Sequence, residues 1–123
     1  MLTFRIDARR FSPEVNIDKQ NHIIDISGAS TLKNTSWFYS NVLKWVIAFN
    51  DSNNIRTTIN IRLNKINDSS SKWLMLIMRK LVSIVPEQDI VVNWYYEPHN
   101  STIQLSGERL KLNSEIPVNV IAA

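Results

Sequence analysis

The sequence predicts a single α/β domain in which helices pack on a mixed, partly parallel sheet. Segments with an apolar residue at every second position alternate along the chain with segments where apolar residues recur every three or four, the two periods of strand and helix. Only Gly28 and Gly107 are glycines, and no low-complexity stretch or internal repeat interrupts the pattern, so connections are expected to be short. A chain of 123 residues suits one hydrophobic core, here assigned to residues 1–123.

The elements follow in order. Residues 1–20 are polar, with a Ser12-Pro13 turn signal, and are expected to be an irregular N-terminal segment. Residues 22–26 alternate apolar and polar and read as a strand ended by Gly28. Ser30, Thr31, Asn34, Thr35 and Ser36 are all good helix caps. From Trp37 the positions Phe38, Val42, Trp45, Val46 and Phe49 repeat at helical spacing, which predicts an amphipathic helix to about Asn50. Residues 55–63 alternate strictly, with Ile55, Thr57, Ile59, Ile61 and Leu63 on one face of a strand.

Residues 64–71 read as a polar turn and 72–85 as a second helix stopped by Pro86, with a core stripe of Leu74, Ile77, Met78, Leu81 and Val85. Residues 90–96 are β-branched and aromatic and favour a strand. Residues 101–106 read either as a short strand or as the lead into a brief third helix around 107–112, and 118–121 as a last strand. The expected architecture therefore has two main helices and a short third helix.

Composition narrows the function. The apolar share is 44%, ordinary for a globular protein and too high for a disordered one. Cysteine is absent, which excludes disulfides and thiolate chemistry. The net charge of +3 is scattered, with Arg9-Arg10 and Arg79-Lys80 as the adjacent basic pairs, so no nucleic-acid stripe is expected. The first residues lack the continuous apolar core of a signal peptide, and no apolar run is long enough to span a bilayer. A cytoplasmic protein without membrane insertion is expected.

Catalytic signatures are missing. The two histidines, His22 and His99, stand in no metal-ligand spacing, the glycines of nucleotide-binding loops are lacking, and residues 69–71 have no nucleophile-elbow glycines. The expectation is a protein that is not an enzyme and needs no metal or cofactor. The segment Asn67-Asp68-Ser69-Ser70-Ser71 is different in kind: it follows an alternating strand and precedes a helix. Partners and ligands of open α/β sheets dock at such strand ends. Free N–H groups at a helix start favour an anion such as phosphate. The same residues are also ordinary N-caps, and both readings stand at this level.

Several residue patterns together resemble a known family. Gly28-x-Ser30 precedes the first helix, which carries Trp37-Phe38-Tyr39 and Trp45; the Asn67-x-Ser69-Ser70 turn precedes the second; Trp94-Tyr95-Tyr96-Glu97 and Gly107-Glu108 follow. In this order they resemble the SiaC family of bacterial regulatory phosphoproteins, over the chain from about residue 12 onward. The outline is also similar to the STAS domain of anti-sigma-factor antagonists, whose Asp-Ser-Ser turn begins the equivalent helix. The resemblance implies a STAS-like fold and a partner switch. In that family a dedicated kinase phosphorylates a hydroxyl of the turn and a metal-dependent Ser/Thr phosphatase removes the phosphate. The unmodified protein binds and activates a diguanylate cyclase, raising cyclic-di-GMP and favouring biofilm; phosphorylation blocks that binding.

The chain departs from the family pattern twice. Residues 28–34 read Gly-Ala-Ser-Thr-Leu-Lys-Asn, without the family's acidic residues. The position after Asn67, where a SiaC-type alignment puts the acceptor hydroxyl, holds Asp68. Asp68 either mimics the phosphorylated state or, under a STAS-type alignment, is the acid preceding the acceptor Ser69. The implied switch residues are thus Asp68, Ser69 and Ser70. Asn67, Ser71 and Trp73 are the candidate partner contacts, Trp73 because it lies about a quarter turn from the core stripe of its helix. Trp94 is expected to be core. Two other classes remain: a small α/β domain using the turn as an anion or ligand site, and a constitutive scaffolding subunit.

Overall fold

The computed structural model describes residues 3–49, 56–84 and 89–123. Their order is β1 (Thr3–Ile6), β2 (Glu14–Asp18), β3 (Ile23–Ser30), α1 (Thr35–Phe49), β4 (Thr57–Ile66), α2 (Asp68–Ile84), β5 (Ile90–Tyr96), α3 (Ser101–Asn113) and β6 (Val118–Ala122). The strands form one sheet in sequence order, antiparallel across β1–β2–β3 and parallel across β3–β4–β5–β6. Parallel neighbours need a crossover, and α1, α2 and α3 supply one each. Right-handed crossovers that advance in one direction put every helix on the same face of the sheet. Accordingly Ile24, Ile26, Ile59, Ile61, Val92 and Trp94 of the strands share one buried cluster with Phe38, Val42, Leu74, Met78, Leu81 and Ile103 of the helices.

The mixed sheet with helices on it is as expected, and several boundaries differ. Residues 3–18 hold two strands where an irregular segment was expected, β1 and β2, and β2 buries Val15 and Ile17 between the half-buried Glu14, Asn16 and Asp18. The alternation is present there, but five residues are too few to stand out from a polar surrounding. β3 does not end at Gly28. It continues to Ser30 through an irregularity at Gly28/Ala29, where Gly28 takes φ +115°, a conformation that disfavours any side chain. β4 runs three residues past Leu63, and α2 starts at Asp68 rather than Lys72. The third helix is not brief but spans thirteen residues. The segment at 101–106 is its first half. Expectations placed on Asn50, Ile55, Val85 and Pro86 lie outside the described residues.

Among the described residues the opposite face of the sheet carries no helix. Across it Asp25, Asn60, Asn93 and Asn119 stand in register on four successive strands. Asn60 donates to the Asp25 carboxylate at 3.0 Å, Asn93 to Asn60 at 3.0 Å, and Asn119 to Asn93 at 3.1 Å.

Candidate functional site

The Asn67–Ser71 segment lies where the carboxyl ends of β3 and β4 meet the start of α2. Asn67 fixes it. Its Oδ1 accepts the N–H of Ser70 at 2.9 Å and the hydroxyl of Ser69 at 3.3 Å, the bonds of an N-cap. Its amide Nδ2 donates to the carbonyl of Leu32 and its backbone N–H to that of Ser30, so the cap is also stapled to the β3–α1 connection. With the cap at Asn67, Asp68, Ser69 and Ser70 become the first helical turn. The N–H groups of Asp68 and Ser69 find no acceptor among the described residues, as the first turn of a helix requires.

The three switch candidates have different surroundings. Asp68 is exposed, Ser69 is half-buried and Ser70 has no exposed surface. Ser70 ends a buried chain of hydroxyls: Tyr39 donates to Ser30 at 2.5 Å, Ser30 donates its own proton to Ser70 at 2.8 Å, and Ser70 donates to the Ser30 carbonyl at 3.1 Å. This chain ties β3, α1 and α2 together at one point. Burial pushes the Tyr39 hydroxyl above its ordinary pKa of 10.0, partly offset by its hydrogen bonds to Ser30 and Ser70. The sequence offered Ser30 as a helix cap and as part of a motif, and Tyr39 only as part of a motif, whereas Ser30 is the last residue of β3; forty residues separate Ser30 from Ser70, and no local pattern announces their bond.

Helical phase distributes the remaining residues. Trp73, one turn beyond Ser69, is half-buried and stacks on Tyr39 with ring centroids 6.5 Å apart, so that flank of α2 faces α1. Asp68, Ser71, Lys72 and Met75 look the other way, into a cleft of about 350 Å³ closed on its far side by α3. Leu105 and Arg109 line its α3 wall. Nothing in the sequence marked this cleft, because it depends on the length of α3. Asn67 and Ser71 are occupied by the cap itself, Ser71 donating its N–H to the Asn67 carbonyl at 3.1 Å.

The other candidates resolve simply. Trp94 is buried, and its indole N–H donates to the Ile103 carbonyl at 2.9 Å. His99 is exposed and His22 half-buried in the β2–β3 turn. Among the described residues no three His, Cys, Asp or Glu side chains converge as metal ligands, and no helix is long and apolar enough to cross a membrane.

The family model of the SiaC family regulatory phosphoproteins matches residues 6–123. The chain belongs to the SiaC family. The fold agrees with solved SiaC structures. The crystal structure of apo-SiaC from Pseudomonas aeruginosa superposes with a TM-score of 0.85 at 22% identity, covering 99% of this chain and 100% of that one. The SiaC chain in the crystal structure of the diguanylate cyclase SiaD with its activator SiaC, from the same organism, gives 0.84 at 21% identity over 98% and 99%. No curated protein sequence matches the chain. The chain thus has the mixed six-stranded sheet and three helices of the solved SiaC structures.

Proposed function

We propose that this SiaC-family chain is a non-catalytic cytoplasmic partner switch, set by charge at the start of α2. The observation that carries the reading is the exposed Asp68 at the first helical position, beside a capped turn with free N–H groups. In this reading the chain binds and activates a diguanylate cyclase when that position is uncharged, raising cyclic-di-GMP. A cognate kinase adds the phosphate that ends binding, and a metal-dependent Ser/Thr phosphatase removes it. The naming of P. aeruginosa SiaC as the activator of a diguanylate cyclase supports the choice of partner.

Asp68 supplies a permanent negative charge where a hydroxyl would be modified. A carboxylate carries one charge, against roughly two for a phosphate, so the chain is an incomplete mimic of the released state. Ser69 is the hydroxyl we assign as the remaining acceptor. Ser70 would have to leave the Tyr39–Ser30 chain to be modified, and we assign it to the scaffold. Asn67 and Ser71 shape the turn.

Titration against the cyclase of its own organism tests the reading. The Asp68→Ser variant is expected to bind about ten-fold more tightly or better, the effect of removing one repulsive charge from an interface. Equal affinity for the two proteins would sink the idea. Incubation of Asp68→Ser with kinase and ATP is expected to add phosphate by intact mass, and Ser69→Ala in the otherwise unchanged chain, which leaves no hydroxyl at positions 68 and 69, to add none.

A further inference from the structure

We infer that the cleft between α2 and α3 is a binding site for a small anionic amphiphile, a single-chain carboxylate of medium length. Its head lies between Lys72 and Arg109 and its chain lies on the core. The site goes beyond the partner switch: it needs no partner protein and no modification of the Asn67–Ser71 turn.

The cleft is a gap in the helical layer. α1 and α2 pack against each other, whereas α2 scarcely approaches α3, although both cover the same face of the sheet. Ser71 on α2 and Thr102 and Ser106 on α3 line the gap, and such short side chains leave the space between two helices unfilled. Its base is core: Leu74, Trp94 and Leu110 line it and are at most 5% exposed. At the lip Leu105 is 51% exposed and Met75 is half-buried. Protein interiors close to crystal-like density, so an apolar gap that reaches the core is shaped for a guest.

Size and charge select that guest. A volume of about 350 Å³ lies at the small end of ligand pockets. It holds about a dozen non-hydrogen atoms at the ~30 Å³ that a water takes in the liquid, too few for a two-chain lipid. Lys72 and Arg109 stand on opposite walls, both exposed, and neither is in an ion pair among the described residues. A carboxylate between them accepts charge-assisted hydrogen bonds from both sides. The Ser106 hydroxyl already donates to the Thr102 carbonyl at 3.1 Å, so that wall can lie against a hydrocarbon chain. Asp68 also lines the cleft, one helical turn before Lys72. Its exposed carboxylate repels an anionic head from the strand end and so fixes which way the guest lies.

Calorimetry of the full chain with sodium decanoate, which is about the right size, tests the site below the micellar concentration. A single class of saturable binding is expected, with a dissociation constant of about millimolar or tighter. Arg109→Gln and Lys72→Gln are each expected to weaken it about five-fold, the scale of one exposed charge pair. Decyltrimethylammonium, the same chain with a positive head, is expected to bind about ten-fold more weakly than decanoate. Ser106→Phe fills the cleft and is expected to abolish binding, with thermal melting in the absence of decanoate verifying that it folds. Should it not fold, the exposed Arg109→Gln carries the test. Absence of saturable decanoate binding overturns the site, as does binding that the folded variants leave unchanged. Equal affinity for the cationic amphiphile overturns the carboxylate assignment. None of these outcomes bears on the titration against the cyclase, so the two readings fail separately.

Discussion

Ser70 and Ser69 are neighbours in sequence with opposite duties. Ser70 is fully buried and both accepts from Ser30 and donates to its carbonyl. Ser70→Ala leaves the Ser30 hydroxyl without its acceptor in the interior, and unfolding in urea is expected to show a loss of about 1–3 kcal/mol. Ser69→Ala removes a weak, part-buried 3.3 Å bond to a side chain that keeps its other partners and is expected to change stability by less than about 0.5 kcal/mol. The pair therefore separates the structural serine from its dispensable neighbour, the proposed acceptor, in a single denaturation experiment.

Tyr39, at the other end of the same chain, adds a pH dependence. Its folded pKa lies above the ordinary 10.0 because burial disfavours the phenolate. Below that value the residue is protonated whether folded or not, and it contributes no pH dependence. As pH rises through about 10, the unfolded chain releases this proton first, so the folded state binds more protons and stability falls. Urea midpoints measured from about pH 8 to 11 are expected to drop more steeply for this protein than for Tyr39→Phe. The sequence made the Asn67–Ser71 turn legible, since cap residues before an apolar helix are a local signal. It hid which serine was buried, because that follows from where β3 ends.

Among the elements, α3 was the least legible. Its buried residues are Ile103, Gly107 and Leu110, a narrow stripe, and a glycine in mid-segment normally argues against a helix. The glycine is there for its neighbour. A Cβ at Gly107 would come within 2.4 Å of Cδ1 of the buried Trp94 ring. Gly107→Ala gains about 1 kcal/mol of helix propensity but forces an aromatic ring to move in a packed core, typically costing about 1–3 kcal/mol. A net loss of stability is expected, with a lower thermal midpoint, where the same change in an exposed helix would raise it. By contrast α2 was recognised from its apolar stripe, and only its start was misjudged: the five successive polar residues Asn67 to Ser71 each qualify as a cap, and Asn67 takes the role because it alone also reaches Leu32.

For the whole molecule, alternating periods gave the α/β class, and strand pairing followed from crossover rules. The antiparallel β1–β2 extension escaped because short strands among polar residues carry little periodic signal. What organises the helix-free face is the row from Asp25 to Asn119. Asn60 lies at its middle, bonded to both neighbours, and Asn60→Ala is expected to cost about 1–3 kcal/mol by leaving them unpaired, read as a lower urea midpoint. That row has a consequence for how the sheet finds its alignment. A parallel strand that slides by two residues still turns every apolar side chain inward, so hydrophobicity cannot tell the native pairing from its nearest error. After such a slide Asn93 would face Thr58 or Arg62 instead of Asn60. Strands joined through whole helices meet late and slowly in folding, and the amides act as a vernier that reads off the correct mark when they do.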